Sequence, residues 1–135
     1  MTATISNNGN EYQRVRFETD GDGYCNVAEI EHVKDNLYVI LGGGGNTAAL
    51  VTGEGVVLVD TKNPGWGDAI LEKIRTVTDQ PVTMIINTHT HGDHIACLQE
   101  LKQKSGNPPV FVHKLEQISE ANLIDEGFEY GLGDL

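Results

Sequence analysis

Four side chains of the kind that bind metal ions fall within one short run, Thr88–His94, whose sequence is Thr-His-Thr-His-Gly-Asp-His. Neutral imidazole and carboxylate are good ligands for zinc and similar divalent ions, and histidine is mostly neutral at pH 7. His89 and His91 alternate across one residue, which in an extended segment places both rings on the same side. The run therefore predicts a metal site. The alternative is a polar loop whose histidines cap neighbouring backbone groups.

The metal-binding run is expected to lie between a buried strand and a helix. Val82–Ile86 is continuously apolar and rich in β-branched residues, which is typical of a strand buried on both faces. Before it, Trp66 to about Val77 places apolar residues on one helical face, with Asn63 as the cap and Pro64 at the first position. This order predicts a right-handed crossover and a parallel pair. The run then follows the carboxyl end of a strand, where ligand sites lie in such sheets.

Further elements are predicted on both sides of this unit. Upstream, short apolar segments separated by glycine turns predict an antiparallel meander, with strands at 37–41, 47–52 and 56–59. Gly42–Gly45 is either a flexible hairpin tip or a mobile flap over a substrate groove. It is not a phosphate loop, because no Lys-Ser/Thr pair follows it. Downstream, we expect a helix at His94–Lys104, a strand at Val110–Val112 and a short helix from Lys114 to about Asn122.

We expect one domain or part of one, with three regions. Residues 1–31 form a poorly defined segment with a candidate edge strand at Tyr12–Glu18. The segment from Asp20 onwards partly matches a calcium-binding loop, but Cys25 stands where that loop requires glycine, so a solvated turn is the better interpretation. Residues 32–124 carry the predicted sheet and the metal-binding run, and residues 125–135 form a flexible acidic tail.

The charge and composition exclude several classes of protein. The net charge is −11 and no Lys/Arg cluster exists, which argues against binding to nucleic acid or to an anionic membrane. No apolar run is long enough to span a membrane. Residues 1–13 lack an apolar signal core, which predicts a cytoplasmic protein if Met1 is the true start. Two cysteines, Cys25 and Cys97, are too few for a disulfide framework.

The run between a buried strand and a helix, together with the preceding meander and the segment Val56–Asp60, resembles the signature of the metallo-β-lactamase-fold hydrolases. The resemblance covers about residues 32–124. It implies an α/β (α+β) fold that is the amino-terminal half of an αββα sandwich, with a mixed sheet and helices on one face.

The same resemblance implies a metal centre. His89 and His91 would bind a first metal ion, and Asp93 and His94 would bind a second. Asp93 would also be the catalytic residue that orients the attacking hydroxide. The implied cofactor is zinc, as one or two ions, with iron and manganese left open.

Other side chains lie at the margin of the implied site, and each has a structural alternative. Asp60 would support the ligands from behind, or would simply be a turn residue at a strand end. Trp66 would line the substrate groove, or would pack where its helix begins. His113 would be a ligand, although a loop histidine or one that supports the ligands is the better interpretation. Cys97 is expected to be a buried helix cysteine rather than a ligand.

The resemblance implies a metal-dependent hydrolase in which a metal-bound hydroxide attacks an ester, amide or related bond of a small-molecule substrate. Lactams, thioesters, sulfate esters, phosphodiesters and lactones all fit. The family's remaining ligands lie in the later half of its fold, so we expect a truncated form with an incomplete site, weak zinc binding and little hydrolysis. One alternative is a non-catalytic metal-binding module that completes its site in a homodimer through an exposed sheet face. Another is a plain αβ interaction domain without metal.

Overall fold

The computed structural model describes residues 2–3, 6–7, 10–11, 15–16 and 28–132. The first four ranges are two-residue strands that form two antiparallel pairs, β1 with β4 and β2 with β3. These strands are β1 (Thr2–Ala3), β2 (Ser6–Asn7), β3 (Asn10–Glu11) and β4 (Val15–Arg16). The predicted edge strand at Tyr12–Glu18 falls within the described residues only at β4. Cys25, and the candidate calcium loop as far as residue 27, lie outside the described residues.

A seven-stranded mixed sheet forms the centre of the domain. Its strands are β5 (Glu29–Lys34), β6 (Leu37–Leu41), β7 (Thr47–Thr52), β8 (Gly55–Val59), β9 (Val82–Asn87), β10 (Val110–His113) and β11 (Asn122–Ile124). They lie in the order β11-β10-β9-β8-β7-β6-β5. β5 to β8 are antiparallel neighbours, whereas β8 to β11 are parallel neighbours. The predicted meander, parallel pair and mixed sheet are therefore confirmed.

The described part of the chain contains three helices: α1 (Gly67–Arg75), α2 (Gly92–Ile95) and α3 (Leu98–Lys104). The buried side chains of α1 and α3 share one core cluster with apolar residues of the sheet. Ile70, Leu101 and Ile85 in this cluster have no exposed surface, and burying a side chain of this size stabilises a fold by about 1.5–3 kcal/mol. Among the described residues, no helix is long and apolar enough to cross a membrane.

The opposite face of the sheet carries a second, smaller cluster of buried side chains formed by Val57, Met84 and Phe111. Residues of the tail pack onto it. The rings of Phe128 and Tyr130 each lie 5.5 Å from the ring of Phe111, measured between centroids. These contacts place part of the acidic tail over this face, while the predicted flexibility of residues 125–135 stays a prediction.

The first helix begins later than the sequence indicates, and Asn63 does not cap it. Lys62 and Gly65 have positive φ values of 73° and 84°, which a right-handed helix cannot include. The Asn63 N–H instead donates to the Gly43 carbonyl at 3.0 Å. Trp66 therefore occupies the position before α1, without a side-chain cap.

The predicted helix at His94–Lys104 is two helices, α2 and α3, separated by a break at residues 96–97. In a continuous helix the Cys97 N–H would donate to the Asp93 carbonyl. Here it donates to the Lys62 carbonyl at 3.2 Å, while the Asp93 carbonyl accepts from Gly45 N–H at 3.2 Å. The helix therefore breaks because tertiary hydrogen bonds replace its own ladder.

The predicted helix from Lys114 to about Asn122 is wrong. Residues 114–120 form turns, and β11 follows them. The Lys114 N–H donates to the Ile124 carbonyl at 2.8 Å, which extends the sheet instead of starting a helix. Glu120 has a positive φ of 63°, which further excludes a helix through this position.

Candidate metal centre

The metal-binding run follows the carboxyl end of β9, where the sequence places it. Residues 88–91 form a loop, and Gly92 is the first residue of α2. Gly92 has no positive φ, and a side chain there would meet no atom within 4 Å.

The loop brings its three imidazoles together. The ring of His89 lies 4.7 Å from the ring of His91 and 4.2 Å from the ring of His94, measured between centroids. Asp93 completes the group, with Oδ2 3.6 Å from the Nε2 of His94. All four predicted ligands therefore lie in one patch at the end of the sheet.

Asp60 organises this patch from the end of β8. Asp60 is buried, with 5% of the residue exposed. It accepts hydrogen bonds from the Thr88 N–H at 2.8 Å, the Thr88 hydroxyl at 2.7 Å, the His94 Nδ1 at 2.7 Å and the Asn87 Nδ2 at 3.5 Å. Its φ of 64° lies in the left-handed region, which aspartate tolerates better than most residues. Asp60 thus contacts His94, one of the predicted ligands, directly.

These hydrogen bonds assign the tautomers of two histidines. Asp60 can only accept, so the Nδ1 of His94 carries a hydrogen, and in the neutral ring its Nε2 keeps a free lone pair. The Thr88 hydroxyl donates to Asp60 and lies 2.8 Å from the Nδ1 of His89. Its oxygen therefore accepts a hydrogen from that nitrogen, which leaves the Nε2 of His89 free as well. One buried carboxylate thus fixes both rings, one directly and the other through a hydroxyl.

The three side chains Asp60, His89 and His94 offer ligand atoms that all lie within 4.8 Å of one another, so they form a candidate metal-ligand group. His91 and Asp93 lie beside this group but are not part of it at this spacing. The donor set fits a divalent cation, because two imidazoles and one carboxylate are ligands that such ions accept.

The glycine loop Gly42–Gly45 lies against the metal-binding run. A Cβ on Gly45 would lie 2.7 Å from the Asp93 carbonyl oxygen and 2.9 Å from the Nε2 of His94. A Cβ on Gly43 would lie 2.5 Å from the ring of Trp66. Trp66 also packs against the helix-side core cluster, as the packing interpretation of this residue predicts.

Two predicted margin residues lie apart from the candidate group. His113 is half-exposed, and its Nε2 lies 3.7 Å from Asp125 Oδ1. Cys97 is buried at the break between α2 and α3, and its thiol donates to Glu100 Oε2 at 3.3 Å. Burial, together with the Glu100 carboxylate, raises the pKa of the Cys97 thiol to about 11. Cys97 is therefore a buried structural thiol, as expected.

Sequence reasoning missed two side chains that hold the loops of the site. Lys62 has no exposed surface, and its Nζ donates to three backbone carbonyls. Burial lowers its pKa to about 8, so the ammonium form still dominates at pH 7. The carboxylate of Glu116 accepts from the N–H and the hydroxyl of Thr90 at 3.1 and 2.9 Å. Neither residue carries a local signal, because lysine and glutamate are mostly exposed in proteins.

The sequence profile described as the metallo-beta-lactamase superfamily matches residues 40–133, and the chain belongs to this superfamily. A probable metallo-hydrolase of Streptococcus pyogenes serotype M6 is 39% identical over 74 residues, which cover 54% of this chain and 30% of that protein. The beta-lactamase-like protein 2 homolog of Caenorhabditis elegans is 29% identical over 119 residues, which cover 76% of this chain and 40% of that protein. The chain thus spans well under half the length of these curated relatives.

A subclass B3 metallo-beta-lactamase from a soil metagenome library has a similar solved structure. The match has a TM-score of 0.68 and 20% sequence identity, and it covers 78% of this chain and 49% of that one. At this identity the likeness shows the fold alone. The mixed sheet with its helices therefore matches part of the α/β metallo-β-lactamase fold, as the resemblance implied.

Proposed function

We propose that this chain supplies the metal-binding run of a zinc-dependent hydrolase, in which His89, His91, Asp93 and His94 are the metal ligands. The observation that carries the proposal is the pair of free Nε2 atoms on His89 and His94. In the neutral form each ring keeps an unprotonated Nε2, because the Nδ1 of His89 bonds Thr88 and the Nδ1 of His94 bonds Asp60. Metal-binding histidines in proteins are held in this way, with the other ring nitrogen donating to a neighbouring acceptor.

Asp60 acts in this proposal as an orienting carboxylate and not as a ligand. Its two oxygens already accept from Asn87, Thr88 and His94. Turning one oxygen toward a metal ion would leave donors unpaired, and an unpaired buried donor costs about 1–3 kcal/mol. The motif residues are better placed to bind, because their ligand atoms have fewer competing partners.

Each ligand has a separate part in the proposed chemistry. A bound zinc, iron or manganese ion would supply a Lewis acid and lower the pKa of a bound water to about 7. Asp93, with a side chain 46% exposed, would bind metal and accept a hydrogen bond from the attacking water, which orients it. His94 would keep the hydrogen on its Nδ1 throughout and donate it to the Asp60 carboxylate. The substrate is proposed to be a small molecule, since a net charge of −11 opposes binding to nucleic acid.

Calorimetric titration of the metal-free chain with zinc tests the ligand assignment. We expect measurable binding by the wild-type chain and at least a tenfold weaker affinity in His89→Ala and His94→Ala, because each removes one nitrogen ligand. His32→Ala is the matched control, since His32 is an exposed histidine whose Nε2 bonds only the Asp35 carbonyl at 2.7 Å. Equal zinc affinities in His89→Ala, His94→Ala and His32→Ala would refute the assignment.

The alternative of a metal module completed in a homodimer has one structural feature in its favour. The tail that packs over the sheet face opposite the helices leaves apolar surface exposed, since Phe128 is 46% and Tyr130 is 54% exposed. Sedimentation velocity of the same samples measures their mass and separates the homodimer alternative from our proposal. Our proposal expects no change of mass on adding zinc, whereas a zinc-dependent dimer would favour the alternative.

A further inference from the structure

Lys62 is a buried cation that the proposed chemistry does not use. Its Nζ donates to the carbonyls of Ile40 at 2.7 Å, Gly42 at 2.7 Å and Gly45 at 2.9 Å. An ammonium group has three N–H donors, so all of them are occupied. No carboxylate lies within 4.0 Å of this Nζ among the residues that the structure describes. Fully buried lysines are rare, so its place requires an explanation.

The three carbonyls belong to the glycine loop and to the strand that leads into it. Gly42, Gly43 and Gly44 have positive φ values of 86°, 68° and 95°. With these backbone angles the loop folds around the ammonium group. Without a cation these converging carbonyl oxygens would repel one another and would lack donors. Lys62 therefore determines the shape of the loop.

The loop in turn touches the metal-binding run. The Gly45 N–H donates to the Asp93 carbonyl at 3.2 Å. The space where a Cβ of Gly44 would sit is 2.9 Å from the Cβ of Asp93, and that of Gly45 is 2.9 Å from the ring of His94. The absence of side chains at Gly44 and Gly45 therefore lets the loop lie directly against Asp93 and His94.

The backbone of residue 62 reaches the same place from the other side. The Lys62 carbonyl accepts from the Cys97 N–H at 3.2 Å, at the break between α2 and α3. This bond and the Gly45–Asp93 bond together replace the helical ladder at that point. The residue thus ties the glycine loop through its side chain and the end of α2 through its main chain.

We propose that Lys62 is a positioning residue for the metal centre, because its ammonium holds Gly42–Gly45 against Asp93 and His94. This inference rests on the proposed function, in which those two residues bind metal. The effect acts through the loop, since Lys62 itself contacts no predicted ligand.

The test compares Lys62→Met with Lys34→Met in the full chain. Methionine has a similar length but no donors, and Lys34 is an exposed lysine of β5. Amide hydrogen exchange is followed at Gly42–Gly45, and cobalt(II) affinity is measured from the visible spectrum of the bound ion. We expect Lys62→Met to exchange at least tenfold faster at these glycines and to bind cobalt at least tenfold more weakly, with Lys34→Met unchanged.

Three results would overturn the inference. The first is a folded Lys62→Met variant with wild-type exchange at the glycine loop and wild-type cobalt affinity. The second is exchange that is accelerated equally in the loop and in the core strand β9, because Lys62 would then only support the fold. The third is a wild-type Gly45 amide that exchanges as fast as the amide of the exposed turn residue Gly53. This result is measured on the wild-type chain, so it applies even if Lys62→Met does not fold.

The exchange and cobalt measurements also separate this inference from the proposed function. If the wild-type chain binds no cobalt, the proposed function fails. Exchange at Gly42–Gly45 would then still report whether Lys62 holds the loop.

Discussion

Replacement of Asp60 by asparagine is expected to lower zinc affinity by about 10- to 100-fold, which is the usual cost of losing a group that orients a ligand. An asparagine side chain has an NH₂ group where the carboxylate has its second acceptor. Facing the Nδ1 of His94, that group would favour the tautomer with the hydrogen on Nε2. The nitrogen that the metal needs would then be blocked.

The same substitution should also destabilise the fold. Asp60 is itself buried and pairs with donors on Asn87, Thr88 and His94. Leaving one buried donor unpaired costs about 1–3 kcal/mol. Urea denaturation and zinc titration of Asp60→Asn, with the exposed Asp79→Asn as control, check both effects. If Asp60→Asn bound zinc as tightly as Asp79→Asn, the orienting role of Asp60 would be wrong.

Gly45→Ala is the second substitution with a large expected effect. The added Cβ would lie 2.7 Å from the Asp93 carbonyl oxygen and 2.9 Å from the His94 ring. Real Cβ atoms do not approach so closely, so the loop or the metal-binding run must move. We expect at least a tenfold loss of zinc affinity, together with about 1–3 kcal/mol of lost stability from overpacking.

Gly92→Ala is the matched control for this prediction. Gly92 lies within the metal-binding run that Gly45 contacts. It has no positive φ, and a Cβ added to it would have no atom within 4 Å. We expect its stability to change by no more than about 0.5 kcal/mol, as for other exposed positions, and its zinc affinity to stay at the wild-type value. Calorimetric titration and thermal unfolding of both variants are the measurements. Equal effects of the two substitutions would show that the close approach of Gly45 to the run has no consequence for the site.

The strands near the site could be predicted because their local patterns agree with the final structure. Leu37–Leu41 and Thr47–Thr52 have the predicted bounds. The buried strand before the run begins at Val82 as predicted and ends one residue later than predicted, at Asn87. Apolar periodicity and glycine turns act over a few residues, so they are visible in the sequence. The metal-binding run was visible for the same reason.

The features that failed depend on contacts distant in sequence. The break before Leu98 arises because Gly45 and Lys62 take over the hydrogen bonds of the helix. The strand β11 arises because β10 offers it a free edge, against the local preference of residues 114–122 for a helix. No short window of sequence contains these partners, and tertiary contacts commonly override local propensity.

The network around the histidines was predictable only in part. Asp60 stood out because it ends an apolar strand, and the structure places it against His94. The link from Thr88 to both Asp60 and His89 was not predicted, since a threonine in a loop gives no signal of its bonding partners. The burial of Lys62 was not predictable from its residue type, because lysine side chains are mostly exposed in proteins.

In the proposed metal centre, Asp60 fixes both histidine tautomers, so that Nε2 of His89 and of His94 is free to bind metal. Long-range ¹H–¹⁵N correlation spectra of the metal-free, ¹⁵N-histidine-labelled chain at pH 8 measure these tautomers directly, with signals assigned from His89→Gln and His94→Gln. The predicted result is a hydrogen on Nδ1 of both rings, and an Nε2 resonance that shifts when zinc is added. A hydrogen on Nε2 of His94 in the wild-type chain would contradict the account.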